Sequence, residues 1–287
     1  MGAMMISRGC KRIWRITMVA LMAGGSVATG MAAERAAQAA NPHRSDGLTG
    51  TKAEGTLRIM CVGDSITAGY TDNPKWDVPF EFGYRSALYT RLTNAGYKVQ
   101  FVGESPEPWD GRFGKPRNTP APDLRAIGQD HHRGYGGWGT SGILGEIGKW
   151  VAADKPDVVL LMIGINDGGS PAARTNLDSI VRKIVDTSPD SHVIVAQITP
   201  TAHLSQSIVD YNTYIRDRLV PAFQTSGKQV STVNQYANLL TDGSIDPKLF
   251  SNGINHPNAV AYERMAQTWY DAITAIHPRP SDTKDKK

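Results

Sequence analysis

The sequence predicts a three-layer α/β/α domain built on a five-stranded parallel sheet. Five apolar runs of strand length, separated by segments with helical spacing of apolar residues, support this prediction. The run from Val158 to Ile163 is apolar throughout, which is typical of a strand covered on both faces in the middle of a parallel sheet. Strands that alternate with helices favour right-handed crossovers, and we expect a flavodoxin-like sheet with strand order 2-1-3-4-5.

The predicted elements follow one another along a domain that spans residues 56–277. The strands are Leu57–Val62, Lys98–Val102, Asp157–Ile163, His192–Ile198 and Gln229–Asn234. Helices are predicted where apolar residues recur at intervals of three and four. Their apolar stripes run from Tyr84 to Leu92, Ile143 to Val151, Leu177 to Val185, Tyr211 to Leu219 and Tyr262 to Ile276.

Residues 1–33 have the pattern of a secretory signal peptide. Four basic residues precede a stretch without charge, which ends in the small-residue segment Gly30-Met31-Ala32-Ala33. A retained membrane anchor is the alternative, but Gly, Ser and Thr interrupt the stretch. Residues 34–55 are predicted to be a flexible linker and residues 278–287 a disordered tail. We therefore expect a secreted or periplasmic protein of bacterial type, with no stable membrane span in its mature form.

The net charge of +4 belongs to this leader. Cleavage near Ala33 removes four of the 31 Lys and Arg and no acidic residue, so the charges of the mature chain balance at 27 each. This balance gives no support to a partner such as nucleic acid or an anionic lipid surface. Cys61 is the single cysteine left after cleavage, so the mature chain has no intrachain disulfide.

The segment from Glu104 to Thr140 is too long for a plain connection between elements. Loops of this length are usually functional lids or binding loops, and a floppy insertion is the alternative. Flat aromatic faces suit sugar rings, so Trp109, Tyr135 and Trp138 are candidate substrate contacts. The alternative is that these rings pack the loop onto the domain.

Groups suited to acyl transfer follow the predicted strands at the edge where a doubly wound sheet binds ligands. Ser65 follows the first strand, Gly137 closes the long loop, Asn166 follows the third strand and His256 follows the fifth. Acyl transfer requires a nucleophile, a base and hydrogen-bond donors for the developing oxyanion. Each residue alone fits a structural role, such as a turn or a helix cap. Their convergence at separate strand ends favours a site.

These motifs resemble those of the SGNH (GDSL-type) hydrolases, over residues 57–277. The resemblance implies a carboxylic ester hydrolase in which Ser65 is the nucleophile and His256 the base. It also implies that the backbone N–H groups of Ser65 and Gly137 and the amide of Asn166 form the oxyanion hole. We expect no cofactor and no metal, since no set of His, Cys or carboxylate residues has ligand spacing.

A looser similarity connects Phe101-Val102-Gly103 and the stretch from His132 to Trp138 to the carbohydrate-esterase branch that includes acetylxylan esterases. It implies an O-acetylated polysaccharide or a small ester as substrate. A lipid-directed esterase, lysophospholipase or thioesterase of the same superfamily is the alternative. A carbohydrate-binding module without activity is a further alternative, although it does not require the hydroxyl, amide and imidazole to converge.

The group that orients the imidazole stays open, because the sequence departs from the family pattern. The family usually has Asp three residues before the catalytic His, where this chain has Gly253. Asn252, a backbone carbonyl, or Asp242 or Asp246 could take that role. We favour a Ser-His dyad with an orienter that is not a carboxylate, and then expect Asn252→Asp to raise activity or leave it unchanged.

Overall fold

The computed structural model describes residues 55–72, 82–108 and 123–278. The predicted signal peptide, nearly all of the predicted linker, Trp109 and residues 279–287 lie outside the described residues. Among the helices described, none is long and apolar enough to cross a membrane.

The main sheet is parallel at every described strand pair. Its strands are β1 (Thr56–Gly63), β2 (Lys98–Val102), β3 (Arg133–Gly134), β4 (Val158–Met162), β5 (His192–Gln197) and β6 (Val230–Asn234). The order is β2-β1-β4-β5-β6, and β3 pairs with β1 beyond the end of β2. A small antiparallel hairpin follows, formed by β7 (Leu240–Thr241) and β8 (Ser244–Ile245).

Helices flank the sheet and connect its strands. They are α1 (Ser65–Ala68), α2 (Tyr84–Asn94), α3 (Thr140–Asp154), α4 (Pro171–Thr187), α5 (Gln206–Tyr214), a π-helical turn (Ile215–Leu219), α6 (Val220–Thr225) and α7 (Ala259–Ile276), with short 3₁₀ turns at Tyr236–Leu239 and Pro247–Leu249. Helix α2 packs against α7, and α3 packs against α4. The predicted α/β fold is confirmed.

The five predicted strands are present, each within one residue of its predicted ends. Their order is the predicted one once β3 is set aside. This additional strand was not predicted, because two residues inside a polar, Gly-rich loop carry no periodic signal. It exists because the backbone of Arg133 and Gly134 pairs with the last residues of β1.

Burial explains why these segments form their elements. All five residues of β4 are buried, as expected of a central strand covered on both faces. Helix α4 begins with Ser170 as its N-cap, whose hydroxyl accepts the N–H of Ala173, and with Pro171 in the first turn. Its stripe from Leu177 to Val185 is buried against the core. Burial of each such aliphatic side chain contributes about 1.5–3 kcal/mol, so packing holds the helix in place.

Candidate active site

Ser65 lies where β1 ends and the short helix α1 begins. The carboxyl group of Asp64 caps this helix by accepting the N–H of Ile66 at 2.9 Å, and Gly69 ends it with φ of +98°. A Cβ atom on Gly63 would lie 2.3 Å from the carbonyl oxygen of Met162, so only glycine lets β1 run this close to β4 before the turn. The serine is therefore presented at the carboxyl edge of the sheet.

Three side chains form a chain of hydrogen bonds at this edge. The Oγ of Ser65 lies 2.7 Å from the Nε2 of His256, and the Nδ1 of His256 lies 2.8 Å from the Oδ2 of Asp72. A carboxylate can only accept, so Nδ1 carries the proton and Nε2 is left to accept the serine hydroxyl. Ser65 and His256 are buried, whereas the side chain of Asp72 is 35% exposed.

The group at the imidazole Nδ1 is therefore a carboxylate, and this corrects the expectation that Asn252 or another non-carboxylate orients the ring. Asn252 instead supports both partners. Its Oδ1 accepts the backbone N–H of His256 at 3.0 Å, and its Nδ2 donates to the Oδ2 of Asp72 at 2.6 Å. Asp246, another candidate, accepts from the hydroxyl of Thr241 and caps a 3₁₀ turn.

The environment of His256 favours the neutral imidazole, which is the form that can act as a base. Burial lowers the pKa of His256 below its ordinary value of 6.5, while the Asp72 carboxylate opposes that effect by favouring the protonated ring. A neutral ring at neutral pH can accept the proton of Ser65. The carboxylate then stabilises the imidazolium that results.

Two of the predicted oxyanion donors, Gly137 and Asn166, are connected through Trp138, the residue that follows Gly137. Gly137 has φ of +77°, and a Cβ built on it meets no atom within 4 Å, so open space lies next to its backbone. The Nδ2 of Asn166 donates to the carbonyl oxygen of Trp138 at 2.8 Å. A primary amide has two N–H groups, so this bond orients the side chain of Asn166 and leaves its second N–H available.

Buried titratable groups surround the turn that carries Ser65. Burial raises the pKa of Asp64 to about 7, because desolvation penalises its charged form. The guanidinium of Arg85 is fully buried and donates to the carbonyl oxygens of Thr67 and Ala68. Burial also raises the pKa of the Cys61 thiol to about 12, so it remains neutral and is no rival nucleophile.

The predicted aromatic contacts are packed together. The rings of Tyr135 and Trp138 stack with centroids 4.5 Å apart, and Tyr135 also stacks on Trp150 at 5.4 Å. Trp150 belongs to α3 and is buried, so it fixes the two loop rings to the domain. Tyr135 and Trp138 are half-buried, which leaves part of each ring exposed. Trp109 lies outside the described residues.

Within the described ranges, no group of three or more His, Cys, Asp or Glu residues is arranged to hold a metal ion.

The residues of the site that the sequence did not predict are Asp72, Arg85, Tyr70 and Glu107. One signal was present for Asp72. The short turn that ends at Gly69 lets the following residues fold back towards Ser65, and Asp72 is the next carboxylate in the sequence.

A hydroxyl, an imidazole and a carboxylate joined in this way at the carboxyl edge of a parallel sheet are the arrangement of a serine-type hydrolase. Residues 61–264 match the model of the GDSL-like lipase/acylhydrolase family, and the chain belongs to this family. The matched segment is thus a domain of an ester-hydrolase (acylhydrolase) family.

Relatives with named activities resemble the chain over most of its length. A multidomain esterase from Ruminococcus flavefaciens is 29% identical over 247 residues, which cover 78% of this chain and 29% of that protein. The chain therefore spans under a third of the length of that curated relative.

Solved structures share the fold. A family 3 carbohydrate esterase from Clostridium thermocellum is 28% identical, with a TM-score of 0.59 and coverage of 77% of this chain and 98% of that one. A family 3 carbohydrate esterase from Talaromyces cellulolyticus has a TM-score of 0.59 at 23% identity, covering 77% of this chain and 97% of that one. At that lower identity the likeness concerns the fold alone.

Proposed function

We propose that the protein is exported and hydrolyses O-acyl esters of carbohydrate, chiefly O-acetyl esters, through an acyl-enzyme on Ser65. The observation that carries this proposal is the chain of hydrogen bonds from Ser65 through His256 to Asp72, at 2.7 and 2.8 Å. These distances are those of a nucleophile already within reach of its base.

In the first half of the reaction, the Nε2 of His256 takes the proton of Ser65 as the Oγ attacks the ester carbonyl. The carbonyl oxygen becomes an oxyanion, and the N–H groups of Ser65, Gly137 and the Asn166 side chain stabilise it. His256 then protonates the leaving alcohol oxygen, the C–O bond breaks, and the acyl group remains on Ser65.

In the second half, water takes the place of the alcohol. His256 accepts a proton from the water, which attacks the acyl carbonyl through the same oxyanion geometry. The Ser65 oxygen leaves, recovers its proton from His256, and the carboxylic acid departs. Asp72 stabilises the imidazolium in both halves and holds the ring with Nε2 towards Ser65.

The sugar part of the proposal is supported by the carbohydrate esterase relative that is 28% identical and by the aromatic rings beside the site. Trp138 directly follows Gly137, and the residue is partly exposed. Part of this ring is available to a substrate that reaches the Gly137 N–H. Tyr135 and Trp109 remain proposed contacts of the same kind.

The test is a comparison of acetate release from acetylated xylan, acetylated peptidoglycan and p-nitrophenyl acetate, with Ser65→Ala as the control. We expect release from at least one acetylated polysaccharide and none from the variant. Turnover of p-nitrophenyl acetate without release from either polysaccharide would overturn the carbohydrate proposal and leave the esterase intact.

Export is tested by the N-terminal sequence of protein recovered outside the cytoplasm, which should begin close to residue 34.

A lipid-directed esterase is the second candidate, and two exposed apolar side chains favour it. Ile254 is 63% exposed and lies two residues before His256, and Leu204 is 71% exposed. Their loops are joined by a hydrogen bond from the N–H of Ala202 to the carbonyl oxygen of Ile254. A series of p-nitrophenyl esters from acetyl to dodecanoyl distinguishes the candidates. If kcat/KM is highest for the acetyl ester, the result supports the carbohydrate esterase. If kcat/KM is highest for the long-chain esters, the result supports the lipid-directed esterase.

A further inference from the structure

Glu107 is a buried carboxyl group beside the turn that carries Gly137. It follows β2 in the long loop and is 6% exposed. One of its oxygens, Oε2, accepts the backbone N–H of Gly136. That contact fixes the residue immediately before Gly137. The N–H of Gly137 has no protein acceptor in the described part of the chain, and it is the donor that the proposed mechanism assigns to the oxyanion.

The same carboxylate oxygen also holds Tyr70. The hydroxyl of Tyr70 lies 3.1 Å from the Oε2 of Glu107. The Tyr70 ring meets the imidazole of His256 edge-on, with centroids 6.0 Å apart and an interplanar angle of 85°. The backbone carbonyl of Tyr70 accepts the hydroxyl of Tyr262 at 2.9 Å, so this residue is fixed at both ends. A single oxygen therefore connects the oxyanion turn with the ring that packs on the base.

Gly136, Tyr70 and Glu107 are closely packed. A Cβ atom on Gly136 would lie 2.9 Å from Cε2 of Tyr70 and 3.1 Å from Oε2 of Glu107. A buried carboxylate must be hydrogen-bonded, and bonds to a charged acceptor are stronger than neutral ones. The contact between Glu107 and the turn is thus close and directional.

The backbone around Glu107 is held independently of its carboxyl group. The Nε2–H of His132 donates to the carbonyl oxygen of Glu107 at 2.6 Å, while the Nδ1 of His132 accepts the N–H of Gly134 at 2.9 Å. The hydroxyl of Ser105 donates to the carbonyl oxygen of Gly134 at 2.5 Å. Removal of the carboxyl group therefore leaves the loop anchored to β3 and breaks the bonds to the turn and to Tyr70.

We propose that Glu107 is a positioning residue for ester hydrolysis, which aims the Gly137 N–H at the oxyanion and keeps Tyr70 against His256. This inference rests on the proposed acyl-enzyme mechanism. Deletion of one oxyanion donor costs on the order of 10²–10³ in kcat. Glu107→Ala displaces such a donor without deleting it, so we expect kcat to fall about 10- to 100-fold with KM changed less than about threefold.

Conservative variants separate positioning from folding. In Glu107→Gln the side-chain oxygen can still accept both hydrogen bonds, so kcat should recover to within about fivefold of the wild-type value. Tyr70→Phe should lower kcat in the wild-type background. It should have little further effect in Glu107→Ala, because the bond that it removes is already absent. Glu104→Ala is the matched control, because it removes a glutamate of the same loop that is exposed. The carboxyl group of Glu104 lies 3.8 Å from the guanidinium of Arg133.

The experiment measures kcat and KM for p-nitrophenyl acetate, together with the melting temperature, for the wild type and these variants. A small ester keeps the result independent of sugar recognition. Loss of kcat in Glu107→Ala, recovery in Glu107→Gln and non-additivity with Tyr70→Phe support the proposal. Unchanged kcat in Glu107→Ala, or equal losses in Glu107→Ala and Glu107→Gln, overturn it. Failure of the proposed function looks different, because Ser65→Ala would then retain the wild-type turnover.

Discussion

The most informative single change is Asn252→Asp. In the structure, the Nδ2 of Asn252 donates to the Oδ2 of Asp72 at 2.6 Å, and Asp72 receives the Nδ1–H of His256 on the same oxygen. The substitution replaces this donor with a second carboxylate oxygen. The three backbone N–H groups that Asn252 accepts remain satisfied, so the loop should keep its shape.

The size of the effect follows from the distance between the two carboxylates. At about 4 Å, two unit charges repel by about 1 kcal/mol in water and about 4 kcal/mol at an effective dielectric constant near 20. Asp72 is about one-third exposed, so its environment lies between these limits. Since about 1.4 kcal/mol corresponds to a factor of ten, kcat should fall between about 5-fold and 700-fold as Asp72 is driven from the imidazole.

The assay is the steady-state hydrolysis of p-nitrophenyl acetate near pH 7.5. Asn94→Asp is the matched control, because Asn94 is the exposed last residue of α2, and the same substitution there adds a carboxylate outside the hydrogen-bonded group of Asp72, His256 and Asn252. This control should change kcat by less than about threefold. Equal or higher activity in Asn252→Asp would refute the assignment of Asp72 as the orienting carboxylate. It would instead support the Ser-His dyad that the sequence alone predicts.

Three further predictions concern the same site. Asp72→Asn should lower kcat by about 10²–10⁴. Because Asp72 raises the pKa of His256, its loss should also move the acid limb of kcat/KM to lower pH, measured from pH 4 to 8. Asn166→Ala should lower kcat about 10²–10³-fold with an unchanged circular dichroism spectrum, and unchanged turnover would exclude it as a donor. The pKa of Asp64 is raised to about 7 in the folded state. The buried carboxyl group therefore lowers the free energy of unfolding as the pH rises: the loss is absent below about pH 4, where the group is protonated in both states, and complete above about pH 7. The side chain of Asp64→Asn cannot titrate. Its free energy of unfolding in urea, relative to that of the wild type, should therefore rise by about 2–4 kcal/mol between pH 4 and 8, and a difference that does not change with pH would contradict the raised pKa of Asp64.

The sheet could be predicted because its signal is local. The apolar run of β4 and the stripe of α4 each lie within one segment, and their burial follows from composition and period alone. The edge to which Ser65, Asn166 and His256 belong follows from the fold, since the carboxyl ends of parallel strands meet at one edge. This is why reasoning from strand ends selected residues that the structure places at one edge.

Asp72 could not be selected in the same way. It is separated from His256 by 184 residues, and it follows the nucleophile turn without standing at a strand end. The family pattern directed attention to residues shortly before His256, where Asn252 occupies the loop. The contact depends on how tightly the chain turns after Gly69, which is a tertiary property.

The contacts among the aromatic residues could not be predicted from the sequence either. The sequence indicated rings in the long loop but not their mutual contacts. Tyr135 and Trp138 meet Trp150, a residue of α3, so part of their surface is used to hold the loop. Two outcomes for Trp138→Ala separate the roles. Loss on polymer alone indicates substrate contact, and a lower melting temperature with equal loss on all esters indicates packing.

The proposed mechanism places the acyl group on Ser65, activated by His256 and Asp72. The most direct measurement is peptide mass spectrometry of the enzyme after reaction with a fluorophosphonate, combined with the rate of that reaction. We expect one adduct on the peptide that contains Ser65, no adduct in Ser65→Ala, and slower labelling in Asp72→Asn. An adduct on another residue, or full esterase activity in Ser65→Ala, would contradict it.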